Sequence, residues 1–276
     1  MALTVNTNLT SMNALGKLNN TNKMLSSTFG RISSGLRINS AADDAAGLAV
    51  AENLDAASSS LRQAARNTND GISTIQTAEG SANEVTNILK RMRELAVQSS
   101  SETLADGERA FIQDEFEQLS SEVDRISATT NFNGVNLADG TATEIGVQVG
   151  IFDTADDRIN IDLGDLRATT LAVDTGNIDL SASSTAQSAL TTLDTAIDSI
   201  NAYRSGYGAV QNRLESSLNN LETYTENIAA AESRIRDADF AYESAEMAKF
   251  QTMQQAGIAV LGQANQLSQG ALRLLG

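Results

Sequence analysis

The 276-residue sequence contains no cysteine, histidine, proline or tryptophan. Without Cys or His there is no thiol or imidazole nucleophile, no Cys/His zinc site and no disulfide. Seven Phe and four Tyr must supply every aromatic contact. Proline would ordinarily appear roughly a dozen times at about 5% usage. Its absence removes every ring-imposed helix break, so the chain is free to form long helices. Acidic residues are missing from residues 1–42, which carry only Lys17, Lys23, Arg31 and Arg37 as charges, and residues 241–276 hold two acids and two bases. The net charge of −16 therefore arises entirely between residues 43 and 240, where 33 acids face 13 bases. A surface of that sign speaks against nucleic acid as a partner. Two low-charge ends around an acidic middle suggest ends buried together and a centre facing water.

The uncharged stretch Phe250–Leu272 is long enough to raise the question of a membrane span, but it contains six Gln and one Asn. Such amides are expensive in hydrocarbon, so a helix buried against protein is expected and membrane insertion is not. Met1–Gly16 is rich in Asn and Thr and has no continuous apolar run, so no cleavable leader is expected there.

Apolar periodicity predicts a mainly α fold: a long antiparallel helical bundle or coiled coil with one small β-hairpin insertion. A first helix is expected over about Thr10–Ile38, with Leu18, Leu25, Phe29, Ile32 and Leu36 spaced by seven, four, three and four. Asn39-Ser40 offers an N-cap to a second helix over roughly Ala41–Ser99, with Asp43 and Asp44 in its first turn. An unbroken helix of that length would span roughly 90 Å, too long for a compact globule. A third helix is expected after Asp106-Gly107, ending in the turn formers Asn131-Phe132-Asn133-Gly134. Between residues 140 and 181 the period changes to two, with Ile145, Val147 and Val149 facing Ile159, Ile161 and Leu163 across an Asp153–Asp157 loop. Ser184 with Gln187 suggests a capping box for the fourth helix. There Ala186, Leu193, Ile200, Tyr207, Leu214, Leu221, Ile228 and Ile235 recur at a strict interval of seven, expected to pack inside the bundle. A last helix over about Asp239–Leu275 presents Met247, Phe250, Met253, Gly257, Leu261, Ala264, Leu267 and Leu272.

A lone terminal hairpin cannot fully bury the large apolar side chains of residues 1–40 and 241–276. Ordering those residues costs more than such partial burial returns. Termini that become fully helical only against neighbouring copies are the physical expectation.

Several stretches resemble the bacterial flagellins. They are Leu25–Leu48 (LSSTFGRISSGLRINSAADDAAGL), Leu89–Gln98 (LKRMRELAVQ) with Thr130–Gly134 (TNFNG), Ser233–Ala241 (SRIRDADFA) and Gln254–Gln266 (QQAGIAVLGQANQ). The resemblance covers about residues 1–140 and 175–276 and is ungapped and in order within each stretch. It implies a structural subunit, exported unfolded and self-polymerising into the flagellar filament used for swimming. Residues 1–42 with 236–276 would form the inner terminal domain and residues 43–235 a rod-like domain. Large variable outer domains would be absent. The self-assembly core would be Leu18, Leu25, Phe29, Ile32, Leu36, Met247, Phe250, Met253, Leu261, Leu267 and Leu272. Implied partners are further copies of the chain, an export chaperone and the secretion apparatus, and the hook-associated junction and cap proteins. In some flagellins Toll-like receptor 5 recognises a surface that would map here onto Arg91, Leu95 and Glu115, although Lys90 stands where Gln is common. The same residues would serve axial subunit packing.

The rival from the same export route is a hook–filament junction protein with similar termini. An enzyme is the rival from another class. Asp153, Asp156 and Asp157, or Asp237 with Asp239, could approach a hard cation, but neither group has the spacing of a calcium loop. Gly206-Tyr207-Gly208 falls inside the heptad helix, not after a strand, and Arg204 and Arg213 read as ion-pairing surface residues. No catalytic residue, metal or cofactor is expected.

Overall fold

The computed structural model describes residues 7–275, with side chains described for residues 7–266. Five helices account for most of the chain: α1 (Leu9–Ser34), α2 (Ala45–Ser99), α3 (Asp106–Thr129), α4 (Ser183–Arg236) and α5 (Phe240–Leu275). Two antiparallel hairpins lie between α3 and α4, one of β1 (Asn131–Phe132) with β2 (Val135–Asn136), the other of β3 (Glu144–Gln148) with β4 (Arg158–Asp162). The chain divides into two compact units, Ser59–Glu226 and the paired segments Met1–Ser58 with Asn227–Gly276.

Helix ends follow local capping chemistry, and three of them differ from the sequence expectation. Asn8 caps α1 by accepting from the Ser11 amide at 3.1 Å. The helix ends at Gly35, whose φ of 73° is the left-handed conformation that only glycine adopts freely, three residues before the expected Ile38. The cap of α2 is Asp44, not Asn39-Ser40: its Oδ1 accepts from the Ala46 and Gly47 amides at 3.1 and 2.9 Å. Asp43 instead folds back on Ser40, accepting from its hydroxyl and its amide. Those bonds hold the Asp43 carboxyl below the usual carboxylate range. The Ser184–Gln187 capping box does not form. Helix α4 starts at Ser183, whose hydroxyl donates to the Ser100 carbonyl at 2.7 Å.

In the Ser59–Glu226 unit the heptad row of α4 supplies the spine of the core. Leu193, Ile200, Tyr207 and Leu214 are buried among Ile75, Leu89, Met92, Phe116 and Ile161. Leu221 and Ile228 continue the row as buried residues and Ile235 is half-buried. The companion positions Leu190, Ile197, Arg204, Gln211 and Thr225 are all half-buried, which is why polar residues are tolerated there. The β3–β4 register pairs Val147 with Ile159 and Ile145 with Ile161, so one face turns inward as the alternation predicts. Gly71 of α2 permits the close approach: a Cβ there would sit 2.9 Å from Val147.

Three features escaped the sequence reading. Asn133 and Gly134, with φ of 49° and 82°, form a two-residue turn that closes β1 on β2, so the segment read as a bare turn is a short hairpin. Arg109 is buried and ties the α2–α3 connection, donating to the Ser99 and Ser101 carbonyls at 3.0 and 2.7 Å and to Asp106 at 3.2 Å. Residues 163–181, which have little regular structure, lie in the core as a strap. Leu166, Ala168, Val173, Ile178 and Leu180 are buried. Backbone amides of the strap donate to Tyr207 Oη (from Gly164, 3.1 Å), Asp124 (from Ala168, 2.8 Å) and Gln113 (from Leu180, 2.8 Å).

Two predictions follow the strap. Gly164 has no room for a side chain, since a Cβ would lie 2.6 Å from the Tyr203 ring. Gly164→Ala should lower stability by roughly 1–3 kcal/mol through overpacking, read as a shift in urea midpoint. An unchanged midpoint would mean that Tyr203 swings aside freely. Asp165 accepts from Arg167 and from Thr170, and the Arg167 bond chiefly holds its carboxyl at about 2 against an ordinary 3.8. A depressed carboxylate favours folding above its unfolded value and loses that contribution as pH falls through the window down to its folded value. The stability gap between wild type and Asp165→Asn, roughly 1 kcal/mol near neutrality after solvent screening, should therefore shrink between about pH 4 and about pH 2.

Candidate assembly surfaces

Helices α1 and α5 pair antiparallel through one seam each. The seam positions of α1 are Ser11, Ala14, Leu18, Thr21, Leu25, Thr28 and Ile32 and those of α5 are Glu243, Met247, Phe250, Gln254, Gly257, Leu261 and Ala264, with Gly30, Arg31, Ser244 and Glu246 half-buried beside them. Both rows alternate steps of three and four, the pattern of a two-stranded coiled coil. Polar groups pin the register. Asn8 donates to the Ala264 carbonyl at 3.0 Å, Ser11 to Asn265 at 3.1 Å, and Gln254 to Asn22 at 2.8 Å. Arg31 donates to Glu243 at 3.3 Å, and Glu243 is only 4% exposed. Gly257 lets Leu18 come close, with 3.2 Å left to an added Cβ.

The sequence-derived assembly residues divide between the seam and the outside. Leu18, Leu25, Ile32, Met247, Phe250 and Leu261 lie in the seam. Phe29 and Met253 do not: they are 64% and 50% exposed. Leu36 sits in the α1–α2 connector, bridged to Asp237. The side chains of Leu267 and Leu272 fall outside the described residues. Further apolar residues that the sequence reading passed over are also exposed, namely Leu9, Met12, Leu15 and Met24 on α1 and Phe240, Tyr242, Ile258 and Val260 on α5. At about 100° per residue, Phe240 and Ile258 share one flank of the α5 seam, and Tyr242, Met253 and Val260 share the other. One neighbour cannot cover both flanks. A groove of about 410 Å³ opens beside Leu25 and Phe29 of α1 and Met247 of α5.

The second surface lies on α2 and α3. Arg91 donates to Glu115 through Nε and Nη2 at 2.9 and 2.8 Å, and to Glu94 at 3.0 Å. The Glu115 bond, with the Glu94 bond beside it, raises the guanidinium above its ordinary value. Arg91 and Glu115 are exposed. Leu95 corrects the expectation: it is 1% exposed, because the Leu89, Met92 and Leu95 row turns into the core. It therefore presents no surface in this chain. Nearby Arg93 pairs with Asp194 at 2.6 Å.

Of the acidic groups weighed for metal, two accept from backbone amides and one pairs with an arginine. Asp157 accepts from the Phe152 amide at 2.9 Å, Asp153 pairs with Arg158 at 2.7 Å, and Asp239 caps α5 through the Ala241 amide at 2.9 Å. Among the described residues no group of three or more Asp or Glu is placed to hold a metal ion, and no helix is long and apolar enough to cross a membrane. Tyr207 of the Gly206-Tyr207-Gly208 stretch is buried within α4, where burial raises its phenol above the ordinary value.

Comparison with known proteins covers both ends of the chain. Residues 5–143 match the bacterial flagellin N-terminal helical region and residues 190–275 the bacterial flagellin C-terminal helical region. A flagellin of Halalkalibacterium halodurans is 44% identical, covering 98% of this chain and 99% of its own length. The flagellar filament core protein flaB2 of Brachyspira hyodysenteriae is 42% identical with the same coverage. The crystal structure of Bacillus cereus flagellin, 35% identical, superposes with a TM-score of 0.50 over 60% of this chain and 94% of its own. With the paired terminal helices and the heptad-built core, these matches place the chain in the bacterial flagellin family.

Proposed function

We infer that this chain is a structural subunit of the bacterial flagellar filament, added copy upon copy to an extracellular appendage that serves swimming. The observation that carries the reading is the terminal pair. Its seam is complete within one chain, yet apolar side chains remain exposed on both flanks of α5 and around α1. The seam itself is weak, since Ser11, Thr21, Thr28, Glu243 and Gln254 occupy shielded positions that an isolated two-helix coil would fill with Leu or Ile. Neighbouring copies seated on both flanks supply the missing burial, and that burial drives growth.

Export in the unfolded state suits a chain without Cys or Pro, which has no disulfide to form and no slow prolyl isomerisation to complete on arrival. The same reading assigns it an export chaperone and secretion apparatus on the way out, with hook-associated junction and cap proteins at the filament ends. The short segment between α3 and α4 would leave the filament without large outer domains. The exposed Arg91–Glu115 pair is the part of the receptor motif that Toll-like receptor 5 could reach directly, and an axial neighbour could use it equally.

Electron microscopy of the purified chain on short filament seeds tests the function. Full-length chain should extend the seeds into long filaments, and chain lacking residues 241–276 should not. Capped stubs from the full-length chain would instead move it to the junction proteins. Two substitutions separate the surfaces. Leu261→Asp puts a charge in the seam and should disorder the terminal pair while residues 59–226 keep their circular dichroism. Met253→Asp should leave the pair helical and still abolish growth; growth at the wild-type rate would show that the exposed flank is not an assembly contact.

A further inference from the structure

We propose that Arg37 closes a clasp between the two connector segments, and that α5 orders against α1 only when the clasp is shut. The α1–α2 connector, residues 35–44, runs antiparallel to the α4–α5 connector, residues 237–239, at a single β-bridge between Leu36 and Asp237. Two backbone bonds hold it: the Arg37 amide donates to the Arg236 carbonyl at 2.7 Å, and the Ala238 amide to the Gly35 carbonyl at 2.9 Å. The Arg37 side chain adds a third tie. Its Nη2 donates to the Ile235 carbonyl at 2.5 Å and to the Arg234 carbonyl at 3.4 Å.

Arg37 therefore supplies the C-terminal cap of α4, satisfying three successive carbonyls, 234 to 236, that have no later turn of helix to bond them. Its charge also lies at the negative end of the helix dipole. The cap comes from a residue about 200 positions earlier in the chain, so the end of α4 is complete only when the N-terminal connector is in place. Helix α5 begins after only three connecting residues, at Phe240, with Asp239 as its cap. An unclasped α4 end frays into that short connector, and the start of α5 loses its fixed direction toward α1. The clasp thus makes the order of one chain end depend on the other. It is a positioning device, and its role in growth rests on the filament reading above.

The absence of cysteine makes a clean rescue experiment available. Residues facing each other across an antiparallel bridge lie within the roughly 4.5–5.5 Å Cα separation that a disulfide spans. Arg37→Ala should raise the critical concentration for seeded growth about tenfold, the scale set by one lost charge-assisted cap. Adding Leu36→Cys with Asp237→Cys to Arg37→Ala, then oxidising, should restore growth, and reduction should remove it again. Arg37→Ala chain that grows as well as wild type, or an oxidised clasp that fails to rescue it, overturns the proposal.

Hydrogen exchange of residues 244–261 in filaments grown from each chain above its own critical concentration reads the same coupling at the α5 amides. It also decides the matter if the cysteine pair alone blocks growth. Protection there should fall in Arg37→Ala while the amides of residues 75–96 keep theirs. Equal protection of residues 244–261 in both chains overturns the clasp. Wild-type chain that fails to extend seeds would overturn the filament reading instead.

Discussion

Two helices can shield only one stripe of each other, and that limit governs the terminal half of this molecule. In α1 and α5 the shared stripe runs from Ser11 to Ile32 and from Glu243 to Ala264, and five of its fourteen positions are polar. Everything apolar that lies off the stripe faces solvent in a single chain. The Ser59–Glu226 unit escapes the limit because α2, α3, a hairpin and the 163–181 strap surround the α4 row, so Leu193, Ile200 and Leu214 are fully enclosed. In the proposed function, subunit addition rests on this contrast between an enclosed unit and an under-covered pair. On the proposed filament reading, the first holds its shape unaided and neighbours supply the burial that the second lacks.

Long-period features were legible in the sequence. The interval of seven along α4, the change to period two at residues 145–163 and the lack of proline each reflect a repeated constraint, and repetition survives single exceptions. Features that rest on one residue were not. Gly35 stops α1 because of its φ, and Asp44 rather than Ser40 caps α2 because Asp43 is drawn back onto Ser40. The strap lacks periodicity altogether, since its amides are satisfied by side chains of distant helices such as Tyr207 and Asp124.

The candidate surface was half legible for a related reason. Apolar spacing identifies a stripe without saying what covers it, so Phe29 and Met253 looked equivalent to Leu25 and Phe250. The structure separates them by exposure. Leu95 shows the reverse error: motif position suggested a surface, and its step of three from Met92 carries it inward. Arg91 and Glu115 stayed outside because their charges are satisfied by each other at the rim of the same helices.

The polar residues in the α1–α5 seam have a consequence for alignment. In a uniformly leucine-lined pair, a slide of seven residues, about 10 Å, restores almost every contact. Here the same slide would carry Glu243 away from Arg31 and set it beside Leu25, and would part Gln254 from Asn22. A buried carboxylate without its partner penalises that arrangement strongly. The seam thus behaves like a notched key with one seating depth. Every copy must present its exposed flanks at the same height along the pair, and a lattice of identical subunits stays in step over thousands of additions only if they do.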